Sequence, residues 1–105
     1  KFLLVFIFPF LLSSQSSFSD ESKMTKGLEI FNEVAGCAAC HVLKAAGSEG
    51  NIGPNLDTVE GLNYDSVMDI VTHGLGVMPA FGEDEILTKE EIDIVSFYVA
   101  NSVSK

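Results

Sequence analysis

Two cysteines and a histidine lie within five residues, Cys37-Ala38-Ala39-Cys40-His41. Two residues between the thiols allow both sulfurs to reach one planar macrocycle and to add across its two vinyl groups as thioethers. The histidine that follows is then placed under the metal at the centre of the ring and can donate a ring nitrogen to it. The spacing therefore predicts the attachment site of a c-type haem, with Cys37 and Cys40 as tethers and His41 as an axial iron ligand.

The cysteine pair has three other interpretations. A thioredoxin-like dithiol belongs beside a βαβ pattern, which this sequence does not show. A structural zinc ion needs four ligands, and beyond the two cysteines only His41 and His73 could supply them. A plain structural disulfide stays open, because these are the only two cysteines in the chain.

The first twelve residues differ from the rest of the chain. Phe2 to Leu12 is an unbroken apolar run, shorter than the about 20 residues that span a bilayer and within the roughly 7–15 of a signal-peptide core. Ser17 and Ser19 supply small residues at positions −3 and −1 of a cleavage site. We expect residues 1–19 to be a signal peptide cleaved after Ser19 and residues 20–105 to form one domain; an uncleaved membrane anchor is the alternative.

The charge balance bears on the partners. The chain carries 15 acidic and 6 basic side chains, for a net charge of −9, which argues against a nucleic-acid partner. Docking to basic patches on redox proteins is the sharper interpretation, and a solvated surface that keeps a small protein soluble is the plainer one. We expect a monomer that contacts a membrane only if the leader is uncleaved.

Export and the haem motif support each other, because covalent haem c is assembled outside the cytoplasm. We therefore expect a periplasmic location. The thylakoid lumen and an anchored position facing the periplasm are the alternatives.

Apolar side chains at helical spacing predict three helices, over residues 25–35, 63–72 and 88–103. The cysteine motif is expected to lead into a brief helical segment through Val42 and Leu43. No alternating strand pattern follows the leader, so the predicted class is all-α.

Capping residues mark where these helices begin and end. Thr25 and Asn63 are expected to cap the first and second helices, and Gly74 to stop the second. Thr88 and Glu91 have the spacing of a capping box at the start of the third.

Met78 is the candidate for the second axial ligand. It follows His41 by 37 residues, in a segment with Gly74 and Gly76 before it and Pro79 after it. A loop of this kind can wrap a macrocycle and deliver a thioether sulfur to its other face, and His/Met pairing is typical of electron-transfer haems.

Two other side chains compete with Met78 for that position. Met68 lies on a helix face between apolar neighbours and is better explained as core. His73 is the serious rival, although a solvated histidine at a helix C-terminus is ordinary.

Taken together, these motifs resemble the class I cytochrome c family. The matching segments are Cys37 to His41, Gly53-Pro54-Asn55-Leu56, Gly76-Val77-Met78-Pro79-Ala80-Phe81 and Ile92-x-x-Val95-x-x-Tyr98-Val99. The resemblance covers nearly all of the chain after the leader. The short spacing from His41 to Met78 is similar to that of small bacterial and cytochrome c6-like monohaem members.

The resemblance implies a small fold of three to four helices wrapped around one covalent haem. It implies that Pro54 offers its carbonyl oxygen to the second ring nitrogen of His41, which fixes the imidazole. It also implies that Leu56, Val67 and Val71 line the haem.

The resemblance further implies that the first and last helices pack through a glycine and an aromatic residue. Here Gly27 and Phe31 would meet the region of Val95 and Tyr98. Tyr64 is the only other tyrosine that could contact the haem carboxylates, and that contact is left unassigned.

A closed His/Met coordination sphere favours a soluble one-electron carrier between respiratory or photosynthetic partners, and not an enzyme. The alternatives are the haem subunit of a periplasmic dehydrogenase complex, and a sensor or peroxidase-like protein with a labile sixth ligand. We expect the Ala80-Phe81 segment to give a less charged contact with the partner beside Met78.

Overall fold

The computed structural model describes residues 19–104. Three helices dominate it: α1 (Asp20–Glu29), α2 (Tyr64–His73) and α3 (Lys89–Ser102). Two short strands, β1 (Val42–Leu43) and β2 (Ser48–Glu49), lie between α1 and α2. The predicted helical class is confirmed in outline, with this small sheet as an addition. Apart from Ser19, the predicted leader lies outside the described residues.

Helix α1 begins five residues earlier than the sequence analysis predicted. Its N-cap is Ser19, whose hydroxyl accepts a hydrogen bond from the Ser22 backbone N–H at 3.2 Å. The predicted cap, Thr25, lies inside the helix and donates its hydroxyl to the Glu21 carbonyl oxygen. The prediction was wrong because a threonine can bond the carbonyl of the preceding turn as readily as it caps a helix.

Helix α1 continues into one wider, π-helical turn, Ile30–Val34. The Ala35 N–H donates to the Ile30 carbonyl oxygen at 2.9 Å, five residues back. Gly36 then adopts φ +69°, a left-handed conformation that glycine reaches without steric cost. This combination ends the helix and turns the chain into Cys37.

Helices α1 and α3 cross where Gly27 meets Tyr98. A Cβ atom on Gly27 would lie 2.8 Å from Tyr98 Cγ and 3.2 Å from the Ile94 carbonyl oxygen. One turn later Phe31 packs against Tyr98, with ring centroids 6.1 Å apart. Phe31, Val95 and Tyr98 are all buried. The predicted contact between the first and last helices is therefore present.

The segment after the cysteine motif is a β-hairpin and not the predicted helical turn. Strands β1 and β2 are antiparallel, with Val42 opposite Glu49 and Leu43 opposite Ser48. The buried Ser48 hydroxyl accepts from the Leu43 N–H at 2.9 Å and donates to the His41 carbonyl oxygen at 2.8 Å. These two bonds to one serine, which join residues five and seven positions apart, favour the extended form.

The predicted caps of α2 and α3 are confirmed. Asn63 and Ser66 form a capping box at the start of α2, and Gly74 follows its end with φ +75°. Thr88 and Glu91 form the capping box of α3. Within residues 19–104 neither these helices nor α1 is long and apolar enough to cross a membrane.

Asp57 ties the chain terminus to the segment that follows the cysteine motif. One carboxylate oxygen accepts from the Lys44 N–H and the other from the Ser104 N–H, each at 2.9 Å. The hydrogen bond from Lys44 and then that from Ser104 lower the pKa of Asp57 below its usual 3.8. The charged form is thus the one that the folded state stabilises.

Asp57→Asn should lower the melting temperature at pH 7 by about 2–4 °C, a modest effect because the carboxylate is solvated. A folded-state pKa below the unfolded value stabilises the fold above pH 3.8, and this contribution disappears as the pH falls through the lower folded value. The variant should therefore lose less stability than the parent between pH 5 and pH 2. Thermal melts across that range test this, with the exposed Asp84→Asn as control; parallel pH profiles for parent and Asp57→Asn would contradict it.

Candidate haem-binding site

A single tight turn gathers the thiols and the imidazole. Cys37–Ala39 is one turn of 3₁₀ helix. The Cys37 carbonyl oxygen accepts from the Cys40 N–H at 3.1 Å and from the His41 N–H at 3.0 Å. Both cysteines are free, partly exposed thiols. The backbone therefore holds three chemically active side chains on one turn.

The imidazole of His41 is fixed by Pro54. Its Nδ1 lies 2.8 Å from the Pro54 carbonyl oxygen, which is the contact that the resemblance implied. A carbonyl oxygen only accepts, so Nδ1 carries the proton and Nε2 keeps its lone pair. A histidine held in this tautomer is prepared to donate Nε2 to a metal.

Two glycines that the sequence analysis did not assign to the site let the backbone approach the motif closely. A Cβ on Gly53 would lie 2.6 Å from His41 Cε1, and a Cβ on Gly50 would lie 2.7 Å from the Ala38 carbonyl oxygen. The Gly53 N–H also donates to the Cys40 carbonyl oxygen at 2.7 Å. The signal in the sequence was glycine at positions 50 and 53, just before Pro54, but only the fold shows what each one meets.

Gly53→Ala should displace the His41 ring and weaken its bond to Pro54. Contacts below 3 Å with a ring that is already fixed force a shift costing roughly 1–3 kcal/mol. We expect a melting temperature lower by at least about 4 °C and a changed reduction potential. Differential scanning calorimetry and voltammetry measure the two effects. An unchanged potential in Gly53→Ala would refute a role for Gly53 in positioning His41.

The alternative chemistries of the cysteine pair fit this geometry poorly. Burial, opposed by a backbone hydrogen bond, raises the pKa of the Cys37 thiol from 9.0 to about 11. A dithiol oxidoreductase needs the opposite, a lowered thiol pKa. Among residues 19–104 no group of three or more His, Cys, Asp or Glu side chains is arranged to hold a metal ion. The raised pKa of the Cys37 thiol therefore argues against the dithiol interpretation.

Met78 lies on a turn that is anchored to α2. Leu75 and Met78 exchange backbone hydrogen bonds at 3.2 and 3.0 Å. Beyond the turn, the Phe81 N–H donates to the Val71 carbonyl oxygen at 2.9 Å and the Gly82 N–H to that of Thr72. The Met78 side chain is partly buried and packs against the core. The turn thus holds the thioether beside the buried face of α2.

The rival ligand His73 already has two carboxylate partners. Its Nδ1 lies 2.8 Å from Glu83 Oε1 and its Nε2 lies 3.7 Å from Asp69 Oδ1. The His73 side chain is 58% exposed. Both ring nitrogens therefore face surface carboxylates, which favours Met78 over His73 as the ligand.

The apolar residues predicted to line the haem belong to the hydrophobic core or pack against it. Val67 and Val71 are buried on α2, and Leu56 is partly buried against the same cluster. Phe81 is only 7% exposed and belongs to the core. The expectation that Phe81 contacts a partner was wrong, because the backbone bond to Val71 draws this residue inward.

Tyr64 is engaged within the protein. Its hydroxyl donates to the Asp93 carboxylate, which also pairs with Lys23 at 3.3 Å. The hydrogen bond to Asp93, together with burial, raises the pKa of Tyr64 to about 12. The tyrosine thereby links α2 to α3.

The two thiols and the imidazole lie on one turn, and Gly50 and Gly53 pack closely against it. This arrangement fits a covalently bound haem. Residues 22–99 match the family model described as cytochrome c oxidase, cbb3-type, subunit III. The chain belongs to this family of class I cytochromes c. Family membership implies a covalently attached haem c and an electron-transfer role for this cytochrome.

A solved structure supports the assignment. The cytochrome is similar to the c-type cytochrome SorU from Sinorhizobium meliloti, with 44% sequence identity and a TM-score of 0.73. The match covers 81% of this chain and 95% of that chain. No curated protein matches the sequence significantly.

Proposed function

We propose that this cytochrome is a one-electron carrier with a single haem c, tethered by Cys37 and Cys40 and ligated by His41 and Met78. The observation that carries the proposal is the bond from His41 Nδ1 to the Pro54 carbonyl oxygen at 2.8 Å. It leaves Nε2 available on the same turn as both thiols. A haem held there supplies one-electron chemistry between Fe(II) and Fe(III).

The protein's own residues would hold the haem iron through His41 and Met78 and would surround the haem with apolar side chains. His41 is oriented by Pro54, and Met78 is delivered by a turn bonded to α2. Val67 and Val71 present a buried apolar wall. A thioether ligand and a low-dielectric wall both favour the reduced state, so we expect a raised reduction potential.

The mass of the purified protein under denaturing conditions tests the covalent part of the proposal. The expected mass is that of one chain plus one haem, with no free haem released by acid and organic solvent. Cys37→Ala/Cys40→Ala should lose this mass. A chain that carries no haem when expressed with a functional maturation system would overturn the proposal.

We also propose that residues 1–19 direct the chain across the membrane to a periplasmic or equivalent compartment, where the haem is attached. The apolar run from Phe2 to Leu12 supports this. Cell fractionation with the mass of the recovered chain tests both transport and cleavage, and recovery of an uncleaved chain in the membrane fraction would favour an anchor.

Docking to basic partners should make electron transfer depend on salt. With a net charge of −9, the rate with the cationic oxidant tris(phenanthroline)cobalt(III) should fall about tenfold between low salt and 0.5 M salt. The rate with anionic ferricyanide should rise over the same range. Stopped-flow oxidation of the reduced protein measures both rates, and a cation rate independent of ionic strength would count against the proposal.

A second candidate is a permanent subunit of a larger redox assembly. The matching family model is itself described as a subunit of an oxidase, and two exposed apolar side chains, Leu75 and Val77, precede Met78. The chemistry at the iron would be the same. Sedimentation of the protein from its native extract separates the two candidates: a free carrier sediments as a single small chain, and a subunit sediments with its assembly.

A further inference from the structure

His41 is held by both ends of the segment that runs from Ser48 to Pro54. At its start, the Ser48 hydroxyl donates to the His41 carbonyl oxygen at 2.8 Å. At its end, the Pro54 carbonyl oxygen lies 2.8 Å from His41 Nδ1. Between the two, the Gly53 N–H donates to the Cys40 carbonyl oxygen at 2.7 Å. The segment is thus closed on a single residue, so a change at one end alters the approach of the other.

The Ser48 hydroxyl is itself oriented by the protein. Ser48 is only 7% exposed, and its oxygen accepts a hydrogen bond from the Leu43 N–H at 2.9 Å. Its single proton can point to the His41 carbonyl oxygen at 2.8 Å or to that of Leu43 at 3.4 Å, and the shorter contact is favoured. Leu43 is fully buried, so water does not readily replace a lost partner here. The hydroxyl is therefore a fixed donor to the main chain of His41.

The hydrogen bonds of His41 restrain three different parts of the residue. Its N–H donates to the Cys37 carbonyl oxygen at 3.0 Å, its carbonyl oxygen accepts from Ser48, and its ring bonds Pro54. The ring has little room, because a Cβ on Gly53 would lie 2.6 Å from His41 Cε1. Release of the carbonyl lets the peptide after His41 rotate, and the ring on the same Cα then tilts away from Pro54. A weaker bond at Nδ1 makes the imidazole less basic towards a metal at Nε2.

We propose that Ser48 is a positioning residue for the axial ligand: by holding the His41 carbonyl oxygen, its hydroxyl keeps Nδ1 on the Pro54 carbonyl oxygen. The inference rests on the proposed function, in which His41 ligates the haem iron. A less basic imidazole stabilises Fe(III) less, so loss of the hydroxyl should raise the reduction potential. If Ser48 only stabilised the hairpin, its loss would lower the melting temperature and leave the potential unchanged.

A pair of variants with the same shape separates the hydroxyl from the packing of the side chain. Ser48→Thr keeps the hydroxyl, and Ser48→Val puts a methyl group in its place; both are β-branched and suit a strand. Ser48→Ala removes the group outright. Ser96→Ala is the matched control, because Ser96 is also buried and its hydroxyl has no hydrogen-bond partner among the described residues.

Two measurements on the holoprotein report the position of His41. Voltammetry with a diffusing mediator gives the reduction potential. Nuclear magnetic resonance of the reduced protein, labelled with ¹⁵N in its two histidines, gives the rate at which the His41 Nδ1 proton exchanges with solvent. A loss of stability alone, without a change at the ring, moves neither quantity at temperatures well below the melting transition.

In Ser48→Val and Ser48→Ala the redox equilibrium should shift about threefold towards Fe(II), which is about 28 mV at about 59 mV per tenfold change for one electron. The Nδ1 proton should exchange at least about fivefold faster. Ser48→Thr and Ser96→Ala should match the parent in both measurements. Ser48→Thr and Ser48→Val behaving alike, or Ser96→Ala shifting as far as Ser48→Ala, would overturn the role of the hydroxyl alone. Ring-proton signals of both histidines at ordinary positions in the reduced parent would contradict ligation by His41 and overturn the proposed function as well.

Discussion

Met78→Ala is expected to open the sixth coordination position of the iron and to lower the reduction potential by at least about 0.1 V, a fraction of the roughly 0.8 V over which axial ligands set haem potentials. The turn around Met78 is anchored to α2 by backbone bonds from Phe81 and Gly82. Alanine can therefore occupy the turn without unfolding it, but it brings no sulfur. The oxidised protein should lose the methionine-to-iron charge-transfer band, and the reduced protein should bind carbon monoxide.

Met68→Ala is the matched control for this substitution. Met68 is also a partly buried methionine packed against the core, so it reports the cost of truncating a methionine without touching the ligand. It should lower stability by about 2–3 kcal/mol while leaving the charge-transfer band in place and carbon monoxide excluded. A parent-like spectrum in Met78→Ala would assign the sixth ligand to another residue. Carbon monoxide binding by the unsubstituted reduced protein would favour the sensor or peroxidase-like alternative.

Gly27→Ala is expected to destabilise the fold by about 2 kcal/mol, although alanine favours a helix over glycine by about 1 kcal/mol. The added Cβ would lie 2.8 Å from Tyr98 Cγ and 3.2 Å from the Ile94 carbonyl oxygen. Neither group can yield, because Tyr98 and Ile94 are buried on α3. The melting temperature should fall by about 8–16 °C.

The sign of the stability change in Gly27→Ala shows whether packing against α3 or helix propensity dominates at this position. If propensity alone mattered, Gly27→Ala would raise stability. Thr25→Ala, at an exposed position two residues earlier on α1, should change stability by less than about 0.5 kcal/mol. Denaturant titration with the haem in place measures both. A Gly27→Ala protein as stable as the parent would show that α1 and α3 can separate without cost.

Local signals in the sequence predicted the features of the fold that depend on neighbouring residues. Asn63, Thr88 and Glu91 cap their helices as expected, because a cap involves only groups three residues apart. The contact of Pro54 with His41 was also foreseen, from the resemblance of the motifs. The same kind of reasoning placed Gly27 against Tyr98.

Features that depend on distant groups could not be predicted in this way. Ser48 stabilises the hairpin by bonding both Leu43 and the His41 carbonyl oxygen, whereas a brief helical segment was expected through Val42 and Leu43. Phe81 is drawn into the core by its bond to Val71, and the exposed apolar side chains of this segment are Leu75 and Val77 instead. In each case tertiary packing overrode a local preference.

The ligation by His41 and Met78 is tested most directly by the methyl resonances of the three methionines in the reduced protein, labelled with ¹³C at each methyl group. A methyl group held over the face of a haem is shifted to high field by the ring current. Of the three methyl signals, from Met24, Met68 and Met78, we expect one to be displaced far upfield and to disappear in Met78→Ala. Three signals at ordinary positions, or an upfield signal that survives in Met78→Ala, would contradict it.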